Sequence, residues 1–399
     1  PDDMARAGGI GGGMNFDYTD DQRALRDLCH RLGGDFDDQY WNAIDQQHRH
    51  PLEFWKLLAD QGLMGTTIPQ EYGGSGLGLL ELCIAAEALA EAGSGDGAGV
   101  FVSGPVFGGY LIDKGGTPQQ KADILPALAR GELWAGAFTE PDAGSNVTNI
   151  KTFARKEGDR FLVKGHKVFI SNMAVARRIA VLCRTAPRDE KNRMAGMTLL
   201  LGDLPSERIE YRPFRKMGTN YMDTNAVFFD DFPIPVANVV GEEGNAWRLL
   251  YKVLNPERLV ISAINVGTGN YLIRKAVQYA SERSVWGVPL ATHQGLQFPL
   301  AQARIELECA RLKVYQAAWL FDRGGDAGVA TVIAKHAATH AALHAADRAI
   351  QTLGGAGYIA DSGVERAFRN LRGSRMVPIS HEMVLNTVAQ HDLGVPRSY

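Results

Sequence analysis

The sequence predicts an α+β chain of several domains in the order helical, β, helical. Its length of 399 residues leaves room for two or three domains of the usual size, about 150 residues each. Apolar residues recur at spacings of three and four from Met14 to about Gly131 and again from Glu242 onward, the period of amphipathic helices. Between them, short β-branched and aromatic runs separated by turn residues have the texture of antiparallel strands. Strand and helix patterns do not alternate and no internal repeat is present, which excludes a doubly wound parallel sheet and a solenoid.

Element by element, residues 1–13 (PDDMARAGGIGGG) lack the basic and apolar regions of a signal peptide and are expected to be a disordered or cloning-derived lead. A helical domain is expected over 14–131, with helices at 17–32, 51–61, 79–92 and 118–130. Thr19 reads as an N-cap followed by acids, while Pro51 and Pro118 suit first helical positions. A β domain over 132–241 carries RFLVKGHKVFIS, IAVLCRT, MTLLLGD, RIEYRPF and NAVFFDDF as strands. A second helical domain over 242–399 has long helices at 247–280, 293–321 and 327–353 and a shorter one at 364–372.

Composition narrows function. A net charge of −3 argues against a nucleic-acid footprint or a polybasic membrane surface. The longest stretch without Asp, Glu, Lys or Arg, 284–303, contains two prolines and three glutamines, so no membrane span is expected. Cys29, Cys83, Cys183 and Cys309 lie far apart without a CxxC spacing, as buried thiols of a reducing, cytoplasmic setting would. His336, His340 and His344 recur every four residues, a spacing that can hold zinc. No carboxylate or cysteine completes an evident sphere, so no metal is expected.

Glycine is the outlier, at 45 residues. No GxGxxG follows a strand and opens a helix, so a Rossmann loop is excluded. The cluster at 73–78 reads as a turn between helices. Gly354, Gly355 and Gly357 end an alanine-rich helix, where two readings stand: an αL cap, or bare backbone approached by a diphosphate.

Three stretches, AFTEPDAGSN (137–146), HKVFISN (166–172) and QTLGGAGYIADSGVERAFRN (351–370), together resemble the acyl-CoA dehydrogenase family of flavoproteins, and the resemblance runs from Met14 to Tyr399. It implies an N-terminal helical domain, a middle antiparallel β-barrel or sandwich and a C-terminal four-helix bundle. The implied activity, in fatty acid metabolism, is conversion of an acyl-CoA thioester to the trans-2-enoyl-CoA: a carboxylate removes the α-proton and FAD N5 accepts the β-hydride. The implied partners are an electron-transfer flavoprotein as acceptor and further copies of the chain, in a homodimer or homotetramer with FAD at the interface. Carried onto this sequence, Phe138, Thr139 and Ser145 contact the flavin and the diphosphate region, and Phe169 and Ser171 flank the flavin. Arg283, Trp286, His293 and Gln294 come from a neighbouring subunit, and Gln351, Gly354 and Gly355 receive the adenosine diphosphate. Ser145 and Arg258 serve the substrate. Each has an ordinary alternative: Thr139 in a hydroxyl-stabilised turn, Phe169 as strand core, Arg283 as a solvated helix-end cation.

The base is displaced. Where many members carry tyrosine, glutamate, glycine and threonine, this chain reads RMVPISHEMVLN. Counting from Arg375 places His381 there; a short deletion aligns Ser380 and Glu382 with later positions of the motif. LNPERLVISA (254–263) instead resembles the Glu-Arg-Leu motif of the isovaleryl-CoA and long-chain branch, with Glu257 as the base and Glu382 in reserve. The ordinary alternative for Glu257 is an acid in the first helical turn after Pro256. A flavin-dependent monooxygenase or oxidase on the same fold is the alternative function.

Overall fold

The structure, a computed structural model, describes residues 16–397, so the expected lead segment 1–13 lies outside the described residues. Thr19 closes a capping box on α1 (Asp20–Gly34): its hydroxyl accepts from the Gln22 N–H at 3.2 Å, and the Gln22 side chain returns to the Thr19 N–H at 3.1 Å. Helices α2 (Asp38–Gln47) and α3 (Leu52–Asp60) follow, with Pro51 at the cap of α3, one residue earlier than expected. After the glycine-rich turn at 73–78 comes α4 (Leu79–Leu89). A broken helical run then continues through α5 (Gly95–Ala98) and α6 (Leu111–Gly115) to α7 (Pro118–Ala129). The sequence does not announce α2, and in this run it argues against helix, because glycine costs about 1 kcal/mol per helical position. Packing decides instead: a Cβ at Gly97 would come within 2.5 Å of both the Trp41 and Phe54 rings.

The middle domain has seven strands among the described residues: β1 (Trp134–Ala137), β2 (Phe153–Glu157), β3 (Arg160–Ser171), β4 (Arg178–Arg184), β5 (Met197–Asp203), β6 (Ile209–Pro213) and β7 (Thr224–Pro235). They form one sheet, ordered β1-β4-β2-β3-β7-β6 with β5 on β4. Its ladders are antiparallel, except that β4 runs parallel to β1 and meets β2 in parallel at one residue pair. Phe161, Val163, Val181, Val227, Phe229 and Ile234 fill its own core. The β3–β7 register slips between Lys167 and Ile170, and this bulge turns Phe169 outward.

Helix α8 (Ala246–Glu282) opens the last domain and is followed by the β8 (Ser284–Val285) and β9 (Val288–Pro289) hairpin, α9 (Gln294–Asp322) and α10 (Gly328–Leu353). The short links make α9 antiparallel to both neighbours, so α8 and α10 run the same way. Asn265 on α8 donates to Thr339 Oγ1 on α10 at 3.1 Å. The short α11 (Gly355–Tyr358) leads to α12 (Val364–Gly373) and α13 (His381–His391), which succeed each other against α10 as the fourth bundle position. α8 packs closely on α4: a Cβ on Gly267 would lie 2.2 Å from the Glu87 carbonyl oxygen. Cys29, Cys83 and Cys183 are buried, but Cys309 is exposed, because α9 buries Ala303, Leu307, Ala310 and Val314, a stripe that position 309 misses. Among the described residues no helix is long and apolar enough to cross a membrane.

Candidate active site

The first group of functional candidates is assembled around β3. Glu140 is buried and its carboxylate accepts the N–H groups of Lys151 at 2.6 Å and Thr152 at 2.9 Å. Lys167, also fully buried, donates from Nζ to Glu140 Oε1 and to the Phe138 carbonyl, each at 2.9 Å. Burial opposes the Glu140 charge, yet the Lys167 ammonium and the hydrogen bonds outweigh it and hold the carboxyl below its ordinary value. The Val168 N–H donates to the Thr139 carbonyl at 2.9 Å. Phe138 and Thr139 are thereby fixed along the strand that carries Phe169 and Ser171.

Phe169 is not strand core: it is 67% exposed at φ 62°, with its ring tilted on Phe214 at 5.6 Å. The Thr139 hydroxyl makes no hydrogen bond among the described residues, so a hydroxyl-stabilised turn does not explain it. The Ser171 hydroxyl lies 3.5 Å from Thr224 Oγ1, and Ser145 is exposed farther along the loop.

A second group lies on α8 and its neighbours. Glu257 is not in a first turn, since α8 begins at Ala246 and Pro256 stands in its interior. Stabilisation by a helix N-terminus therefore does not account for it. Its carboxylate has no hydrogen-bond or ion-pair partner among the described residues, and desolvation pushes it up to about 7 against the pull of Arg258. Arg258 donates to Asn255 Oδ1 at 3.0 Å, and burial lowers its own proton affinity. Glu382 is exposed in the first turn of α13, where backbone, Ser380 and Arg375 keep it ionised. His381 is buried, its ring tilted against His336 at 4.4 Å, and pushed down to about 4 by desolvation and Lys335, so it is neutral at pH 7. Of the three spaced histidines, His336 lies between His340, stacked on it at 6.3 Å, and His381, while His344 turns to Glu306 at 2.8 Å.

Lys335, on α10, is fully buried and its Nζ finds no hydrogen-bond partner among the described residues. Burial lowers it to about 8 from 10.5. Because the native state holds this proton less tightly than the unfolded chain, stability is regained as pH rises from 8 toward 10.5. Lys335→Met is expected to stabilise the fold by about 2 kcal/mol at pH 7. Thermal unfolding should show this gain shrinking between pH 8 and 10.

The third group sits at the far end of the bundle. The Leu290 N–H closes the hairpin onto the Arg283 carbonyl at 2.8 Å, and exposed Arg283 is the C-cap of α8. Trp286 is 90% exposed and meets His293 edge-on at 6.2 Å. Gln294 opens α9 and Gln351 lies in the last turn of α10, both exposed. Gly354 is not an αL cap: φ 57° with ψ −131° is a conformation that suits glycine. A Cβ at 354 or 355 would meet nothing within 4 Å, so bare backbone faces open space, whereas one at 357 would lie 2.9 Å from the Ile350 carbonyl oxygen.

One chain does not bring the groups together. Glu257 and Arg283 lie on the same helix about 39 Å apart, at a rise of ~1.5 Å per residue. Since α10 runs parallel to α8, Gln351 and its glycines share the Arg283 end. Exposed aromatic rings, an uncommitted threonine hydroxyl and bare glycine amides fit a cofactor with a flat ring at one end and a diphosphate toward the other.

Three adjoining family models match nearly the whole chain: the acyl-CoA dehydrogenase N-terminal domain at 19–132, the middle domain at 135–232 and the C-terminal domain at 244–392. The chain belongs to the acyl-CoA dehydrogenase family. Acyl-CoA dehydrogenase fadE12 of Mycobacterium tuberculosis is 38% identical over 388 residues, covering 96% of this chain and 99% of that protein. The short-chain specific acyl-CoA dehydrogenase of Clostridium acetobutylicum is 30% identical, covering 90% of this chain and 94% of that one. Butyryl-CoA dehydrogenase from Megasphaera elsdenii has a similar structure, with a TM-score of 0.90 at 28% identity over 95% of this chain and 100% of that one. The chain is accordingly an FAD-dependent oxidoreductase acting on acyl-CoA.

In this acyl-CoA dehydrogenase, part of the C-terminal signature serves architecture. Arg366 donates to Asp96 Oδ2 at 3.0 Å, and Asn370 joins Asp96 Oδ1 at 2.6 Å to the Thr219 N–H at 2.5 Å, tying the three domains. Lys167, Glu140 and Lys335 escaped the sequence reading. For Lys167 one signal existed: alternation puts it on the inward face with Phe161 and Val163.

Proposed function

We propose that Glu257 removes the α-proton of an acyl-CoA, and the observation that carries this is its unpartnered, desolvated carboxyl poised near pH 7. The α-carbon of a thioester is a weak acid, and a partly desolvated carboxylate with no hydrogen-bond donor on it is a stronger base toward it. Bound FAD supplies the acceptor for the β-hydride. Phe138, Thr139, Phe169 and Ser171 orient its ring end, and Ser145 and Arg258 hold the substrate. Arg283, Trp286, His293, Gln294, Gln351, Gly354 and Gly355 of a second copy hold the adenosine diphosphate end. The 39 Å separation, about 26 residues of helix, supports this division, as does an apolar groove of about 350 Å³ between α8 and α9, lined by Ile273, Val277, Leu296 and Leu300. An electron-transfer flavoprotein then reoxidises the flavin.

The test is anaerobic titration of FAD-loaded protein with short, branched, aromatic and long acyl-CoAs. Flavin absorbance should bleach with at least one, at a rate that rises with pH through about 7 as Glu257 loses its proton. A flavin unresponsive to the whole panel overturns the reading.

A further inference from the structure

We propose that Lys216 is a positioning residue that sets the direction of a hydroxyl chain, Thr224 to Ser171, so that Ser171 presents its hydrogen outward to the flavin. Lys216 Nζ donates to the Thr219 carbonyl at 2.9 Å, the Met222 carbonyl at 2.7 Å and Thr224 Oγ1 at 2.9 Å. An ammonium has three hydrogens and no lone pair, so all three are committed and Thr224 Oγ1 must accept. The Thr224 hydrogen is then left for another acceptor, and Ser171 Oγ, at 3.5 Å, is the partner that the described residues provide. That distance is the outer reach of such a bond, which catalytic sites shorten once loaded. Once Ser171 accepts from Thr224, its own hydrogen points away from the chain.

The surroundings keep this geometry rigid. Asp223 lies 2.9 Å from His50 Nε2 and accepts from Asn225 Nδ2 at 2.6 Å, while Asn225 donates to the Ile170 carbonyl at 3.0 Å. On the other side the Asn172 N–H donates to the Asp223 carbonyl at 3.3 Å and its side chain to Ser103 Oγ at 2.6 Å, so the backbone on both sides of Ser171 is pinned to the N-terminal domain. Burial draws Lys216 down to about 8, opposed by Asp223 on its own loop and Asp45 on α2. Those acids are themselves engaged by His50 and Arg369. Protonated Lys216 imposes the direction; neutral Lys216 does not, so the effect weakens as pH passes through about 8.

The inference rests on the reading of Ser171 as a flavin contact, and the experiment separates the two. The two-electron midpoint potential of bound FAD and its absorbance spectrum would be measured from pH 6.5 to 9.5 in the wild type, Ser171→Ala, Thr224→Val, Lys216→Met and Lys216→Arg. A donated hydrogen bond favours the electron-rich reduced ring. Each of the first three variants should therefore shift the oxidised-to-reduced ratio about tenfold, lowering the potential by about 30 mV, with FAD still bound. Lys216→Arg should restore most of it, and the wild-type inflection near pH 8 should vanish in Lys216→Met and Thr224→Val. Thr224→Val keeps the two carbonyl bonds of Lys216, so it removes the chain without loosening the loop. Wild-type potentials in Thr224→Val and Lys216→Met beside a shifted Ser171→Ala would overturn the inference and leave the Ser171 reading standing. An unshifted Ser171→Ala would overturn both.

Discussion

Glu257→Gln is expected to abolish acyl-CoA-driven bleaching of the flavin, slowing it by about 10³-fold or more, while FAD stays bound. A positioned general base contributes about 10²- to 10⁴-fold, and glutamine keeps the shape of the side chain without a site for the proton. The substitution breaks no hydrogen bond or ion pair among the described residues, so the thermal midpoint should hold or rise slightly. Above pH 7 the variant should also lack the acceleration shown by the wild type. Glu382→Gln is the control: that carboxylate is exposed and ionised, so bleaching should change by less than about twofold. Stopped-flow absorbance under anaerobic conditions reads both. Fast bleaching in Glu257→Gln with slow bleaching in Glu382→Gln would exchange their roles.

The second large effect is on the loop before Asn146. Lys167→Met leaves the Glu140 carboxylate buried without its cation, and breaking such a pair costs about 3–5 kcal/mol. Weaker FAD binding should accompany the lost stability, because Lys167 also holds the Phe138 carbonyl. The pH dependence has a definite sign. Glu140 titrates lower when folded, so its contribution is present above the unfolded value of 4.5 and is lost as pH falls through the folded value. In Lys167→Met that dependence should disappear or reverse, and adding Glu140→Gln should recover more than half of the stability. Thermal unfolding with a fluorescence titration of FAD measures both. A single variant within 1 kcal/mol of wild type, roughly the worth of an exposed pair, would show the pair to be inert.

Local chemistry made much of this fold legible. The Thr19 cap, Pro118 at a first helical position and the long apolar periods gave helices whose ends fall within three residues of those observed at α1, α7, α8, α9 and α10. Features decided by distant packing were hidden: Gly97 beneath two rings, and α13, whose start is fixed by Ser380 in a segment of mixed pattern. At the site, alternation argues for Phe169 in the core, and only the slipped register against β7 turns it out. Proline before Glu257 offers a first-turn reading of that acid, but the apolar period over 247–280 carries the helix past it, as α8 does. Lys167 and Glu140 are separated by 27 positions, and nothing local couples them.

The length of α8 has a consequence for inheritance. With the proposed shared site, one rod carries the base for its own flavin and the clamp for its neighbour's. A lesion at Glu257 and a lesion at Trp286 then fall on different faces of the assembly's division of labour. Two chains, each inactive as a pure assembly, combine so that both defects gather in one site and the other is made entirely of intact parts.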